Sequence, residues 1–178
     1  MKEERKRSYL EIDRDTGIVL SERHCLNNRP DRPESEGAAY IDRDEKTGLV
    51  IFERYARNGR WHRENGPAIT LRDESGQIIQ EEYIVDGRSH RDPNEGPAFI
   101  RYSNSDPTVL ISEEYYLFGL PYRHPDAGPW YISRNDTGKV VAERFCKPED
   151  LFDPRRPPSL RARPQRDGRA SARKFNFG

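Results

Sequence analysis

Apolar and polar residues alternate along short stretches of this chain, and each stretch ends at turn-forming residues. In residues 49–55, every second position is Leu49, Ile51, Glu53 and Tyr55, so these side chains share one face if the segment is a β-strand. No ten-residue window shows the i, i+3, i+4, i+7 spacing of an amphipathic helix. The pattern therefore predicts an all-β fold.

This pattern returns with a period of about thirty residues. The five copies begin near Tyr9, Tyr40, Ile69, Phe99 and Tyr131. In each copy, two short strands flank a turn of Asp, Ser, Thr, Asn and Gly, which is the signal of a β-hairpin. We therefore predict an elongated antiparallel sheet of about five β-hairpin repeats over residues 9–150, with a charged lead over 1–8 and a flexible basic tail over 151–178.

Two charged positions recur in phase with the repeat. A glutamate lies in the second strand of every copy, at Glu22, Glu53, Glu81, Glu113 and Glu143. An arginine recurs at Arg32, Arg63, Arg91 and Arg123. Burying a lone carboxylate is costly, whereas an Arg–carboxylate pair satisfies both groups. We expect these two sets to be structural and to pair with each other; a ladder of carboxylates that binds a basic partner is the alternative.

The second, third and fourth units end in a second turn and a Gly-Pro segment. Residues 58–68 read NGRWHRENGPA, and the third copy keeps Asp86-Gly87, His90-Arg91 and Gly96-Pro97-Ala98 with two extra residues. In these motifs the chain resembles the MORN-like repeat proteins, in the variant unit N-G-x-x-H-R-E-x-G-P-A of bacterial and phage proteins. The resemblance covers about residues 9–150. It implies a sheet of successive hairpins that serves as a protein or lipid contact surface, and it implies no reaction.

The charge is unevenly distributed. The 178 residues contain 31 basic and 31 acidic side chains, but residues 155–178 hold eight basic residues and one acidic residue, a net charge of +7 that leaves −7 on the rest. Apolar residues make up only 33% of the chain, which excludes a large multilayer core. Aromatic residues make up 10%, which argues against a disordered repeat region. No apolar run approaches the roughly 18 residues of a membrane span, and the start, MKEERKR, is no signal peptide. We expect a cytoplasmic protein.

No enzyme motif is present. The chain lacks the P-loop, dinucleotide, zinc-protease and nucleophile-elbow patterns. His62 and His90 are in phase but two strands apart, about 9.6 Å, which is too far to share one zinc ion. Cys25 and Cys146 lie in the first and last copies and are expected to be reduced thiols. We predict a non-enzyme with no cofactor, metal or small-molecule substrate.

The expected function is therefore protein binding. An acidic, aromatic-studded sheet would meet another macromolecule, with contacts from Trp61, Tyr116, Tyr122 and Trp130, because Trp and Tyr are over-represented among interface hot spots. One alternative is a phage-type inhibitor that mimics nucleic-acid charge and so blocks a nucleic-acid-binding host defence enzyme.

A further alternative lies in the basic tail, which would bind nucleic acid by counterion release. Arginine predominates there and suits phosphate and carboxylate groups. Docking into a partner protein and folding back onto the acidic repeats remain open alternatives for the same segment. The expected contacts are Arg155, Arg156, Arg161, Arg163, Arg166, Arg169, Arg173, Lys174, Phe175 and Phe177.

Overall fold

A long antiparallel sheet of hairpin-like strands dominates the part of the chain that the computed structural model describes, residues 5–147. Its ten main strands lie side by side in chain order, in the order β1-β2-β4-β5-β8-β9-β12-β13-β16-β17, so that β1 and β17 are the two edges. This confirms the predicted all-β sheet of hairpin repeats. The strands are β1 (Lys6–Ile12), β2 (Val19–Leu26), β3 (Arg29–Pro30), β4 (Tyr40–Arg43), β5 (Val50–Arg54), β6 (Ala56–Arg57), β7 (Arg60–Trp61), β8 (Ile69–Arg72), β9 (Ile78–Glu82), β10 (Ile84–Val85), β11 (Arg88–Ser89), β12 (Phe99–Tyr102), β13 (Leu110–Glu114), β14 (Tyr116–Leu117), β15 (Leu120–Pro121), β16 (Tyr131–Arg134) and β17 (Val140–Arg144).

The turn of each main hairpin is held by its first side chain. In all five turns, a carboxylate or amide oxygen accepts a hydrogen bond from the backbone N–H two residues further on, which is the Asx-turn geometry. These residues are Asp13, Asp44, Asp73, Asp106 and Asn135. In four of the turns a glycine follows with φ between 71° and 87°. The recurring Asp and Gly of the sequence are therefore explained by local turn chemistry.

Shorter hairpins lie between the main strands: β6 pairs with β7, β10 with β11 and β14 with β15. Each turns through a residue at φ of about 50° that is followed by a glycine, the type I′ arrangement. The turn residues are Asn58-Gly59, Asp86-Gly87 and Phe118-Gly119. The sequence predicted two strands per copy and missed these pairs, because strands of two residues show no alternation.

Successive short hairpins are joined by hydrogen bonds from one copy to the next. The backbone N–H of each positive-φ turn residue donates to a side chain of the preceding copy. The donor and acceptor pairs are Asn58 to Asp31 at 2.6 Å, Asp86 to His62 at 3.1 Å and Phe118 to His90 at 3.2 Å. The in-phase histidines therefore serve as hydrogen-bond acceptors between repeats.

The buried core is thin. Half of the fully buried hydrophobic residues in the described part are alanines at the strand junctions, and the few larger ones include Tyr115 and Leu117, each 6% exposed. No helix within residues 5–147 is long and apolar enough to cross a membrane, since the two helices there are the 3-10 turns Glu34–Glu36 and Pro125–Ala127. Stability therefore comes largely from contacts between neighbouring copies.

Protonation of His90 is expected to weaken this stacking. Burial lowers the pKa of His90 below its usual value near 6.5, against the opposing charges of Asp92 and Glu95. The unfolded chain therefore takes up this proton first, so the contribution of His90 to stability is present above about pH 6.5 and is lost as the pH falls through the folded-state pKa. His90→Asn keeps an acceptor but does not titrate, and should reduce the fall in unfolding free energy between about pH 7.5 and pH 5.5.

Urea unfolding at the two pH values measures this difference. His124→Asn is the control: the side chain of His124 is 55% exposed and accepts from the Asp126 N–H within its own copy, so this change removes a histidine without touching the bonds between copies. Equal pH dependence in the wild type and His90→Asn would contradict the assignment.

Candidate protein interface

The pairing register sorts the side chains onto two faces, because directly opposite residues of neighbouring strands point the same way. On one face, the repeated glutamates alternate with aliphatic or threonine side chains from strand to strand. We call this line the glutamate row; it runs Leu10, Glu22, Ile41, Glu53, Thr70, Glu81, Ile100, Glu113, Ile132 and Glu143.

Three of the glutamates in the row pair with an arginine at the end of the next strand. The pairs are Glu22 with Arg43, Glu53 with Arg72 at 2.6 Å and Glu113 with Arg134 at 2.5 Å. All six side chains are 16–24% exposed. In the remaining internal copy Tyr102 stands at the arginine position, and burial together with the charge of Glu81 raises its pKa. An arginine of the next strand therefore neutralises three of the five glutamates in the row.

Two opposing effects act on the pKa of Glu22: burial and the neighbouring Arg43. Burial opposes ionisation of this carboxyl, but the hydrogen bond and the charge of Arg43, with a smaller contribution from His24, outweigh it and lower the pKa of Glu22. A half-buried carboxylate with a dedicated arginine thus stays ionised at neutral pH.

The predicted partners of these glutamates are therefore wrong. Arg63, Arg91 and Arg123 instead lie over the rings of Tyr55, Tyr83 and Tyr115, with guanidinium carbons 3.8, 3.9 and 4.0 Å from the ring centroids. Arg32 and these three arginines also donate to the backbone carbonyls of Ala38, Pro67, Pro97 and Pro129. Arg63 additionally donates to Glu34 at 3.1 Å. These guanidinium groups are engaged by aromatic rings and backbone oxygens, so they serve the fold in a different way from the one predicted.

The glycine of the Gly-Pro segment provides the space for this stack. A Cβ atom at Gly96 would lie 3.0 Å from Nη1 of Arg91, and Gly96 has φ of 132°. A side chain there would therefore both clash and strain the backbone. The Arg, the Tyr and the Gly-Pro segment form one packing unit in the three middle copies, which accounts for their joint recurrence there.

The opposite face carries aromatic residues in line with charged ones. We call it the aromatic face; its central row is Tyr9, Arg23, Tyr40, Arg54, Ile69, Glu82, Phe99, Glu114, Tyr131 and Arg144. The row contains three arginines and two glutamates. The repeated glutamates point to the other face, where three of the five pair with arginines.

A first aromatic cluster surrounds Trp61. The Trp61 and Tyr40 rings meet edge to face, with centroids 5.6 Å apart and planes at 81°. The guanidinium carbon of Arg54 lies 5.2 Å from the Trp61 ring and 4.2 Å from the Phe52 ring. All four side chains are half-buried, so they are held in place but remain accessible.

A second aromatic cluster surrounds Trp130. Its ring lies 6.1 Å from Tyr116 and 5.8 Å from Tyr131, and Arg144 lies over the Tyr131 ring at 5.1 Å. The hydroxyl of Tyr116 donates to Glu114 at 2.7 Å. Burial, followed by this hydrogen bond, raises the pKa of Tyr116 well above its usual value. The hydroxyl is therefore a fixed donor at neutral pH.

Three of the four predicted contact residues belong to these clusters. Trp61 lies in the first cluster, and Tyr116 and Trp130 lie in the second. For Tyr122, the backbone N–H donates to the Tyr115 carbonyl at 3.0 Å. Sequence reasoning missed the supporting residues, although a period of two along each strand already marks the second face. The missed residues are Tyr40, Phe52, Arg54, Tyr131 and Arg144. The predicted tail contacts at 155–177 lie outside the described residues.

Within residues 5–147 no group of three or more His, Cys, Asp and Glu side chains is arranged to hold a metal ion, and Cys25 and Cys146 are both free thiols. No known protein family, curated protein or solved structure matches this chain. The function is therefore inferred from its two faces and its edges.

A double-mutant cycle distinguishes the observed pairing from the one predicted by sequence. Combining Glu53→Gln with Arg72→Gln should give a coupling free energy of about 1 kcal/mol, because the two half-buried groups bond directly. Combining Glu53→Gln with Arg63→Gln should give a coupling near zero. Urea unfolding of the wild type, single and double variants measures both. A larger coupling to Arg63 than to Arg72 would contradict the observed arrangement.

Proposed function

We propose that the repeat region is a non-enzymatic, MORN-like protein-binding module whose aromatic face contacts another cytoplasmic protein. The observation that carries the proposal is the presence of two aromatic clusters, each with an arginine over a ring, on one face of a continuous sheet. Trp61 and Trp130 are the central contacts.

Preorganisation supports this role. Binding costs conformational entropy for every side chain that must be ordered. Here the ring of Trp61 is already held by Tyr40 and Arg54, and that of Trp130 by Tyr116 and Tyr131. Partly exposed Trp, Tyr and Arg side chains that are fixed before binding are the residue types that predominate among interface hot spots.

The charge pattern favours a protein over a nucleic-acid competitor. Arg23 and Arg54 lie in one half of the aromatic face, and Glu82 and Glu114 follow in the middle. Residues 5–147 carry 22 basic and 25 acidic side chains, so the net charge of the described part is only −3. Interspersed charges of both signs fit a partner surface of complementary pattern, whereas nucleic-acid mimicry requires a largely uniform negative surface.

Tryptophan substitution tests this proposal. The chain contains two tryptophans, one in each cluster, so each reports on its own cluster. A protein captured from the native host with the full chain should bind Trp61→Ala or Trp130→Ala at least about tenfold more weakly than the wild type. With the purified partner, Trp61→Phe and Trp130→Phe each leave one fluorophore, and its emission change shows which cluster is covered.

Leu49→Ala is the matched control. Leu49 is an apolar side chain on a main hairpin turn, 44% exposed, and lies outside both clusters, so its loss should leave binding unchanged. If both tryptophan-to-alanine variants remain folded and bind the captured protein with wild-type affinity, the aromatic face is not the interface.

A further inference from the structure

The last strand of the described sheet presents an open edge. All five residues of β17 are exposed, and Val141 is 62% exposed. The corresponding residue of β13, Ile111, is half-buried. The difference arises because β13 has a neighbouring strand on each side, whereas within residues 5–147 β17 pairs with β16 alone.

The backbone of β17 is oriented to accept another strand. The N–H of Trp130 donates to the Arg144 carbonyl at 2.8 Å, so this carbonyl points towards β16. Backbone groups alternate in direction along a regular strand, so the N–H and C=O groups of Glu143, next to Arg144, point away from β16 towards the open side. Such unpaired groups are a template for strand addition.

The same edge carries a glutamate without an arginine partner, Glu143. It is the last member of the glutamate row, and no arginine within residues 5–147 pairs with it. The three paired glutamates of the row show which side chains a strand next to Glu143 would carry. Opposite Glu22, Glu53 and Glu113, the next strand places Ile41, Thr70 and Ile132, and two residues later places Arg43, Arg72 and Arg134.

We propose that β17 binds an extended segment of a partner protein by antiparallel β-strand addition. The segment carries isoleucine or threonine opposite Glu143 and an arginine two residues later, which pairs with the Glu143 carboxylate. Backbone hydrogen bonds supply part of the affinity, and the ion pair selects the sequence. The proposal rests on the backbone edge of β17 and on Glu143, and it stands independently of the function proposed above.

A second copy of the chain is a poorer occupant. Its free edge strand, β1, has Leu10 at the position of Ile41 but Ile12 at the position of Arg43. Ile12 offers no positive charge, so β1 leaves Glu143 unpaired. The β1 strand of a second copy therefore fits this edge less well than the segment proposed here.

A peptide of this protein's own sequence tests the proposal. The probe is a labelled copy of residues 129–136, PWYISRND, whose strand lies beside Glu113 in the sheet. We expect saturable binding to the full-length protein, measured by fluorescence anisotropy. The same peptide with Arg134→Glu should bind at least about tenfold more weakly.

A charge exchange on the protein completes the experiment. Glu143→Arg should weaken binding of the original peptide at least about tenfold and restore binding of the Arg134→Glu peptide. The protein variant should fold normally, because Glu143 is exposed. Glu64→Arg is the matched control, since Glu64 is 62% exposed and far from β17 in the chain; it should bind the original peptide as the wild type does.

Each other outcome overturns the proposal. Absence of peptide binding means that the edge is not available. Equal binding of both peptides, or no exchange of preference in Glu143→Arg, means that Glu143 does not select the segment. Concentration-dependent self-association that Glu143→Arg abolishes, measured by sedimentation velocity, means that a second copy is the occupant. Trp61→Ala should leave peptide binding unchanged, so failure here is distinguishable from failure of the aromatic face.

Discussion

The pairing of a half-buried glutamate with an arginine from the next strand is the interaction on which this sheet depends. It joins one copy to the following copy, as in Glu53 with Arg72, and it places the carboxylate and the guanidinium on one face. A shift of one residue in register would turn both groups to the other face and leave each unpaired. The ion pairs therefore help to set the register, and the register in turn gathers the aromatic residues on the opposite face.

Much of the fold could be predicted because it is specified locally. The Asp and Gly of each main turn are adjacent in sequence, and so are the alternating residues of each strand. The partner of Glu53 was not predictable in this way, since Arg72 lies on a different strand and becomes a neighbour only through the register. Arg63 recurs as regularly as Arg72, and recurrence alone does not distinguish an arginine over a tyrosine ring from one that pairs with a carboxylate.

The candidate site was predictable to a similar degree. Trp61 and Trp130 are recognisable as contact residues from their type alone, but the clusters around them combine residues of different strands. Trp61, for example, meets Tyr40 from the preceding copy and Arg54 from its own. Such a cluster exists only after the sheet has formed. The alternation of side chains directs the repeated glutamates to the face opposite Tyr40 and Tyr131, which a count of charges along the chain does not show.

The repeat construction also explains why the edge of the sheet differs from its interior. Each internal strand forms backbone hydrogen bonds with a neighbouring strand on both sides. In three copies, an arginine from the next copy also pairs with the glutamate of the strand. At β17 no described strand pairs with the outer side of the backbone, and no described arginine pairs with Glu143. Because backbone hydrogen bonds accept almost any extended segment, discrimination at such an edge has to come from side chains. Glu143 is suited to this role, since its arginine-paired counterparts in the row show what it selects.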